Sequence, residues 1–226
     1  MARTGITPSQ ARRESKRARR ERAAEILARL RREFPHTRIA LDFQSPLQLL
    51  MATVLAAQCT DQKVNEVTPP LFRRYPTARD FAAADLAELE EMVRLTGFYR
   101  NKAKALKNLG MTLVAEHGGE VPDAMEPLVA LPGVGRKTAN VVLGNAFGRN
   151  EGIAVDTHVQ RLSRRLFLTG QEDAEKIEQD LVAIVPREEW TRFALLLQDH
   201  GRKVCKARRP ECAACIVADL CPSAEV

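Results

Sequence analysis

The chain of 226 residues is 45% hydrophobic and 28% charged. That composition excludes collagen, whole-chain disorder and small disulfide scaffolds, and predicts one large domain or two small ones. The net charge of +6 is uneven: residues 1–32 carry 11 Lys and Arg against three Glu, a net of +8, so the remainder is slightly acidic at −2. A nucleic-acid partner would therefore be met by clustered charge, not by a uniformly basic surface. The longest nearly apolar run, Leu49–Ala57, is broken only by Thr53. It falls far short of the ~20 residues that span a bilayer, and no apolar segment with a cleavage site marks secretion.

In chain order, residues 1–21 form a basic arm with the composition of a solvated, disordered tail. Its Arg, Ala and Glu also suit a helix, and it runs into one predicted over Arg22–Arg32. Ser45-Pro46-Leu47-Gln48 has the pattern of a capping box with Pro at the first helical position. Leu47, Leu50, Met51, Val54 and Leu55 follow at helical spacing. A helix is predicted from about Asp80 to Leu95 with Leu86, Leu89 and Val93 inward, and another over Arg100–Glu116, stopped by Gly118-Gly119. Val155, Val159, Leu162 and Leu166 make a further stripe, and Ile177, Leu181 and Ile184 one more, closed by Pro186. Trp190–Asp199 predicts a last helix ended by Gly201. No segment alternates convincingly, so the fold class is all-α.

Leu131-Pro132-Gly133-Val134-Gly135-Arg136-Lys137-Thr138-Ala139 leads into an apolar helix through Val141, Val142 and Leu143. A tight turn feeding a helix N-terminus presents unpaired N–H groups and a positive dipole end, which suits phosphate. The string lacks Walker spacing, which excludes an NTPase, and it resembles a helix-hairpin-helix DNA-binding element. Lys137 falls in the first turn. A lysine there ordinarily grips phosphate. Partly buried, beside Arg136 and the dipole, it is expected to be depressed toward the free amine, as a nucleophile requires. Asp156, in Ile153–Val159, is placed to cap the next helix.

Cys205, Cys212, Cys215 and Cys221 fall within 17 residues, while Cys59 stands apart as a small packed residue. In a chain without a secretion signal such a cluster points to metal, not to disulfides. Only Cys212 and Cys215 have zinc-pair spacing. A cubane iron–sulfur cluster suits the set at least as well, and spacing alone leaves both open. Arg202, Lys203, Lys206, Arg208 and Arg209 place five cations in eight residues, in and beside the loop between the first two ligands. Held in a closed loop, that run is read as phosphate-binding.

The cysteine spacing resembles the C-terminal cluster loop of the endonuclease III family of DNA repair glycosylases. Four motifs agree in the family's order, over roughly residues 22–223. The family holds a 4Fe-4S cluster on this ligand pattern, which implies those four cysteines as its ligands. Leu55-Ala56-Ala57-Gln58-Cys59-Thr60-Asp61 resembles the segment whose glutamine fills the gap left by an extruded nucleotide, which implies that role for Gln58. Thr96-Gly97-Phe98-Tyr99-Arg100-Asn101-Lys102-Ala103 resembles a loop with an apolar wedge. Phe98 stands where the family more often has Leu, a departure that bears on opposite-base preference and not on base flipping. Arg94, Arg100, Lys102, Lys104 and Lys107 add a basic stretch around it. The resemblance also implies that Gly133, Gly135 and Arg136 meet the DNA backbone. It makes Lys137 the catalytic lysine of a bifunctional glycosylase and Asp156, in Val155-Asp156-Thr157-His158, the catalytic carboxylate. His158 is read as structural or phosphate-contacting.

The implied architecture is a six-helix domain of residues 40–150 and a cluster domain of residues 22–39 with 151–226, with the DNA groove between them. The implied reaction removes oxidised or ring-saturated pyrimidines from double-stranded DNA and cuts at the abasic site by β-elimination, with no external cofactor. The implied setting is a monomer on nucleoid DNA in a bacterial cytoplasm. Two other readings are weaker. A monofunctional adenine glycosylase would lack Lys137 and carry a Glu in the helix before Gln58, where Leu47–Ala57 holds no carboxylate. A non-enzymatic iron–sulfur DNA-binding or redox protein would need neither Lys137 nor Asp156.

Overall fold

The computed structural model describes residues 5–225; Arg3 of the basic arm lies outside them. Among the described residues there is no β-strand, and twelve α-helices follow in order. They are α1 (Pro8–Arg13), α2 (Lys16–Glu33), α3 (Pro46–Leu55), α4 (Asp61–Arg74), α5 (Ala78–Ala83), α6 (Leu86–Met92), α7 (Tyr99–His117), α8 (Met125–Ala130), α9 (Arg136–Ala146), α10 (Thr157–Arg165), α11 (Ala174–Val182) and α12 (Trp190–Lys203). The chain divides into two compact units. One holds the residues up to Arg38 and those from Gly152 onward, and the other is Ile39–Glu151.

The Ile39–Glu151 unit contains α3 to α9. Ser45 caps α3 by accepting a hydrogen bond from the Gln48 N–H, with Pro46 at the first helical position. The glutamine side chain of the expected box reaches back one residue further, to the Gln44 N–H at 2.8 Å. The helix expected over residues 80–95 is divided: Asp85 accepts from the Glu88 N–H and starts α6 afresh, and Arg94–Thr96 finishes as a 3₁₀ turn. Leu49, Leu50, Met51, Leu55, Leu71, Phe81, Leu89, Leu106 and Leu109 build a core with no exposed surface, each contributing about 1.5–3 kcal/mol by burial. α5 and α7 approach closely because α7 offers Gly110. A Cβ there would lie 2.8 Å from the Ala78 carbonyl oxygen, the Ala82 nitrogen and the Phe81 Cβ.

The other unit has its own core, in which Ile26 and Leu30 of α2, Leu162 of α10, Leu181 of α11 and Phe193 and Leu197 of α12 are buried. α12 does not stop before Gly201 as its sequence suggests, but runs through it to Lys203. Gly201 is a packing glycine: a Cβ there would meet His158 Nδ1 at 2.8 Å and Arg161 Nη2 at 3.0 Å.

From residue 5 onward the basic arm is folded, not disordered. Thr7 and Gln10 form a reciprocal capping box on α1, and Ser15 caps α2. Arg22 and Glu14 form a buried ion pair at 2.7 Å with side chains 6% and 8% exposed. Arg22 also donates to the carbonyls of Leu166, Phe167 and Leu220. The Ile6 N–H donates to the Asp219 carbonyl at 3.1 Å. Composition could not show this, because a buried guanidinium is recognisable only by the carbonyls it meets.

Candidate functional site

α8, the turn Leu131–Gly135 and α9 form the helix-hairpin-helix. Leu131 and Val134 are buried beneath the turn, and Val134 donates to the Leu131 carbonyl at 3.1 Å. Gly133 takes φ 77°, which favours glycine. A Cβ at Gly133 or Gly135 would meet nothing within 4 Å, so both backbones face open space. Gly135 is the N-cap of α9 and brings no side-chain cap. A helix start without a side-chain cap is the kind of end that suits a phosphate. Arg136 and Lys137 occupy the first two positions of α9, both exposed. The expected partial burial of Lys137 is therefore corrected: in the free protein its amine is open to solvent.

Asp156 caps α10. Its Oδ1 accepts from the His158 N–H at 2.9 Å and the Val159 N–H at 2.8 Å. Two such bonds fix the orientation of the carboxylate at the start of the helix. Asp156 is half-buried between the buried Val155 and the exposed Thr157. His158 sits with Arg161, whose Nη2 lies 3.2 Å from His158 Nδ1 and donates to the Gly201 and Cys205 carbonyls. That is a structural place for the histidine. Lys137 belongs to the Ile39–Glu151 unit and Asp156 to the other.

Gln58 and Phe98 share an unusual backbone. Their φ angles are 52° and 47°, and among the described residues only Phe167 is a further non-glycine with positive φ. Such conformations cost free energy and collect at functional sites. Gln58 is exposed just past α3, and Phe98 is 66% exposed at the N-cap of α7. Leu95, 65% exposed, lies on the same turn and was not picked out from the sequence. No signal short of the turn geometry could have found it, because at helical spacing a leucine reads as core. The basic stretch is also corrected. Lys102 is buried, with Nζ donating to the Thr96 carbonyl, and half-buried Lys107 donates to the Ala84 carbonyl at the end of α5. Arg94, Arg100 and Lys104 remain exposed. Cys59 is half-buried against the core of its unit, as a small packed residue.

The four C-terminal cysteines come together. All are free, half-buried and line one cavity of about 340 Å³. Burial pushes the Cys221 thiol up to about 11 and raises that of Cys215 as well. These groups are poor free thiolates until positive metal ions compensate them. Arg165 Nη1 lies 3.3 Å from Cys205 Sγ, and His200 Nε2 lies 3.5 Å from Cys215 Sγ. His200 is buried, which lowers its pKa to about 4 and keeps it neutral. Among the described residues no three His, Cys, Asp or Glu groups converge closely enough for a single ion. Four thiols around a cavity of this size fit an iron–sulfur cluster better than one zinc. Arg165 also grips the Lys206 and Ala207 carbonyls, which fixes the basic loop. Arg208 and Arg209 are exposed on it, whereas Lys206 is paired with Glu211 at 2.6 Å.

Residues 51–187 match the HhH-GPD superfamily of base excision DNA repair proteins, and residues 205–221 match the iron–sulfur binding domain of endonuclease III. Endonuclease III of Synechocystis is 51% identical over 208 residues, covering 92% of this chain and 95% of its own length. Two solved structures, a non-covalent endonuclease III–DNA complex and a trapped endonuclease III–DNA covalent intermediate, each align with a TM-score of 0.86 at 42% identity. Each covers 91% of this chain and 96% of the other. With hairpin, cysteine cavity and sequence in agreement over nearly its whole length, the chain belongs to the endonuclease III family, as an iron–sulfur base excision repair glycosylase with an associated AP lyase activity.

Proposed function

We propose that this chain, acting as a monomer, removes oxidised and ring-saturated pyrimidines from duplex DNA, with Lys137 as nucleophile and Asp156 as the supporting carboxylate. The observation that carries the reading is the surface it would offer a duplex. Gln58 and Phe98 project from turns held at left-handed φ, and Lys137 stands exposed at the uncapped start of α9. Base chemistry inside a duplex requires the nucleotide to be flipped out, which costs a few kcal/mol of unstacking. Phe98 would wedge between bases, and Gln58 would fill the vacated place with an amide able to hydrogen-bond.

Lys137 Nζ then attacks C1′ of the extruded nucleotide. The glycosidic bond breaks, its electron pair leaves with the base, and the base takes up a proton. Loss of an Nζ proton and opening of the sugar give a Schiff base. Removal of a C2′ proton then expels the 3′ phosphate and cuts the strand. The covalent intermediate known for a relative supports this route. Lys137 is solvated in the free protein, so its activation falls to the bound state, where the DNA excludes water and raises the weight of nearby charges. Asp156, its carboxylate fixed by two N–H groups, opposes the positive charge that develops on the sugar. The cluster, held by Cys205, Cys212, Cys215 and Cys221, supplies structure by closing the C-terminal loop. Arg208, Arg209, Arg136 and the hairpin glycines 133 and 135 are the proposed phosphate contacts, with Lys206 engaged once it leaves Glu211. Nucleoid DNA in a bacterial cytoplasm is the proposed setting. The Synechocystis relative is bacterial, and among the described residues no helix is long and apolar enough to cross a membrane.

The test is a comparison of duplexes holding thymine glycol, 8-oxoguanine opposite cytosine, and adenine opposite 8-oxoguanine. Release of thymine glycol with strand cleavage is expected to be the fastest reaction. Faster release of adenine without cleavage would contradict the proposal.

A further inference from the structure

The turn that carries Phe98 is held from within the protein by two buried side chains, Thr96 and Lys102. Thr96 is buried, and its hydroxyl and N–H both donate to the Val93 carbonyl, at 2.8 and 3.0 Å. Gly97 then takes φ 69°, ψ 160°, a region open essentially to glycine alone. Phe98 follows at φ 47°, ψ 30°, left-handed and without a side-chain cap for α7. Local bonds to this pair are few: the Gly97 N–H donates to the Arg94 carbonyl at 3.3 Å and the Asn101 N–H to the Phe98 carbonyl at 3.0 Å. Lys102 closes it from both ends. Its backbone N–H donates to the Phe98 carbonyl at 3.1 Å, and its side chain curls back so that Nζ donates to the Thr96 carbonyl at 2.6 Å. Lys102 is only 5% exposed. Burying an ammonium is costly and is tolerated where its hydrogen bond repays the loss of water.

We propose that Lys102 is a positioning residue for the wedge: by bracketing Gly97-Phe98 it sets the direction in which the Phe98 ring leaves the turn. The inference rests on the reading of Phe98 as a wedge. Two further features agree. Lys102 lies within electrostatic range of Cys59, the neighbour of Gln58. Arg94 and Arg100, paired with Glu91 and Glu90, both lie 5.7 Å from the centre of the Tyr99 ring, the residue next to the wedge.

The experiment measures single-turnover rates on a duplex with thymine glycol and on the same duplex with a preformed abasic site, for Phe98→Ala, Lys102→Met and the double variant. Misplacement of a positioned group costs on the order of 10- to 100-fold. Lys102→Met is expected to lose at least about tenfold on thymine glycol, and less than about threefold on the abasic site, where stacking is already partly lost. The double variant is expected to match Phe98→Ala alone, since Lys102 acts through Phe98. Equal losses of Lys102→Met on both substrates, or additive losses in the double variant, would overturn the inference. If Phe98→Ala itself shows no preference between substrates, it is the wedge reading that fails. Should Lys102→Met not fold, Lys102→Gln, which keeps an N–H donor on a shorter stem, carries the same comparison. Gly97→Ala adds an independent arm: its Cβ would meet nothing within 4 Å, yet the backbone there resists any side chain. The same selective loss is expected of it, and an equal loss on both substrates would count against the turn.

Discussion

Lys137 and Asp156 are both helix-terminal residues, and each has a plain structural duty that competes with a chemical one. For Lys137 the competing duty is phosphate binding. Lys137→Gln is expected to abolish base release and strand cleavage while leaving affinity for abasic duplex within a few-fold, because one cation among many is lost. Weaker binding with cleavage restored at saturating protein would mean that Lys137 only grips phosphate. For Asp156 the competing duty is the cap of α10. Asp156→Asn keeps an oxygen for the His158 and Val159 N–H groups, so the melting temperature should change little. The rate should fall by at least about 100-fold, as when an electrostatic partner is removed from a transition state. A rate near that of the parent would leave Asp156 its capping role alone. The helix-terminal places of both residues were legible in the sequence, because Leu-Pro-Gly-Val-Gly-Arg-Lys and Val-Asp-Thr-His are local strings. The exposure of Lys137 was not, since burial depends on which elements lie over the first turn of α9.

At the scale of elements, helices with a clean stripe and a local stop were legible, such as α3 behind Ser45-Pro46 and α7 before Gly118. α4 was hidden. Pro69 and Pro70 lie within it and read as breakers, yet Thr60 caps it and Val64, Val67, Thr68 and Leu71 form a buried face. Tertiary burial there outweighs the local cost of proline. The α5–α7 contact is similarly invisible, because Gly110 looks like a weak point in a helix until its neighbour is seen. Gly110→Ala is expected to destabilise the protein by about 1–3 kcal/mol. That corresponds to about 2–4 °C in melting temperature per kcal/mol for a chain of this size, readable by thermal unfolding. An unchanged melting temperature would mean that α5 yields freely. The arm supplies another element-scale test. Glu14→Gln strands the buried Arg22 guanidinium and is expected to cost about 3–5 kcal/mol. Arg13→Gln with Lys16→Gln, both exposed, is expected to leave stability intact and flatten the salt dependence of DNA affinity by up to about 0.9 log units per lost phosphate contact. A salt slope unchanged by that pair would leave the arm a purely structural role.

At the scale of the whole molecule, each unit has its own core, and the two are stabilised differently. The Ile39–Glu151 unit is continuous in sequence and rich in fully buried Leu. The other is assembled from both ends of the chain, and its last stretch, Cys205–Cys221, has two short 3₁₀ turns and little core. There the cluster ligands replace packing, so Cys212→Ser or Cys215→Ser is expected to lose the visible iron–sulfur absorption and to lower stability together. A colourless protein that kept both its melting temperature and one zinc per chain would overturn the cluster assignment. The clustering of the four cysteines was legible by spacing, which alone left zinc and iron–sulfur open; the family resemblance implied iron–sulfur, and the cavity that the four residues line agrees with it. Borohydride trapping of the intact protein on a duplex containing thymine glycol shows whether a single lysine performs both glycosylase and lyase chemistry. A covalent protein–DNA adduct whose modified peptide contains Lys137, absent in Lys137→Gln, is expected if Lys137 is that lysine. An adduct on another residue, or thymine glycol release with no adduct at all, would contradict it.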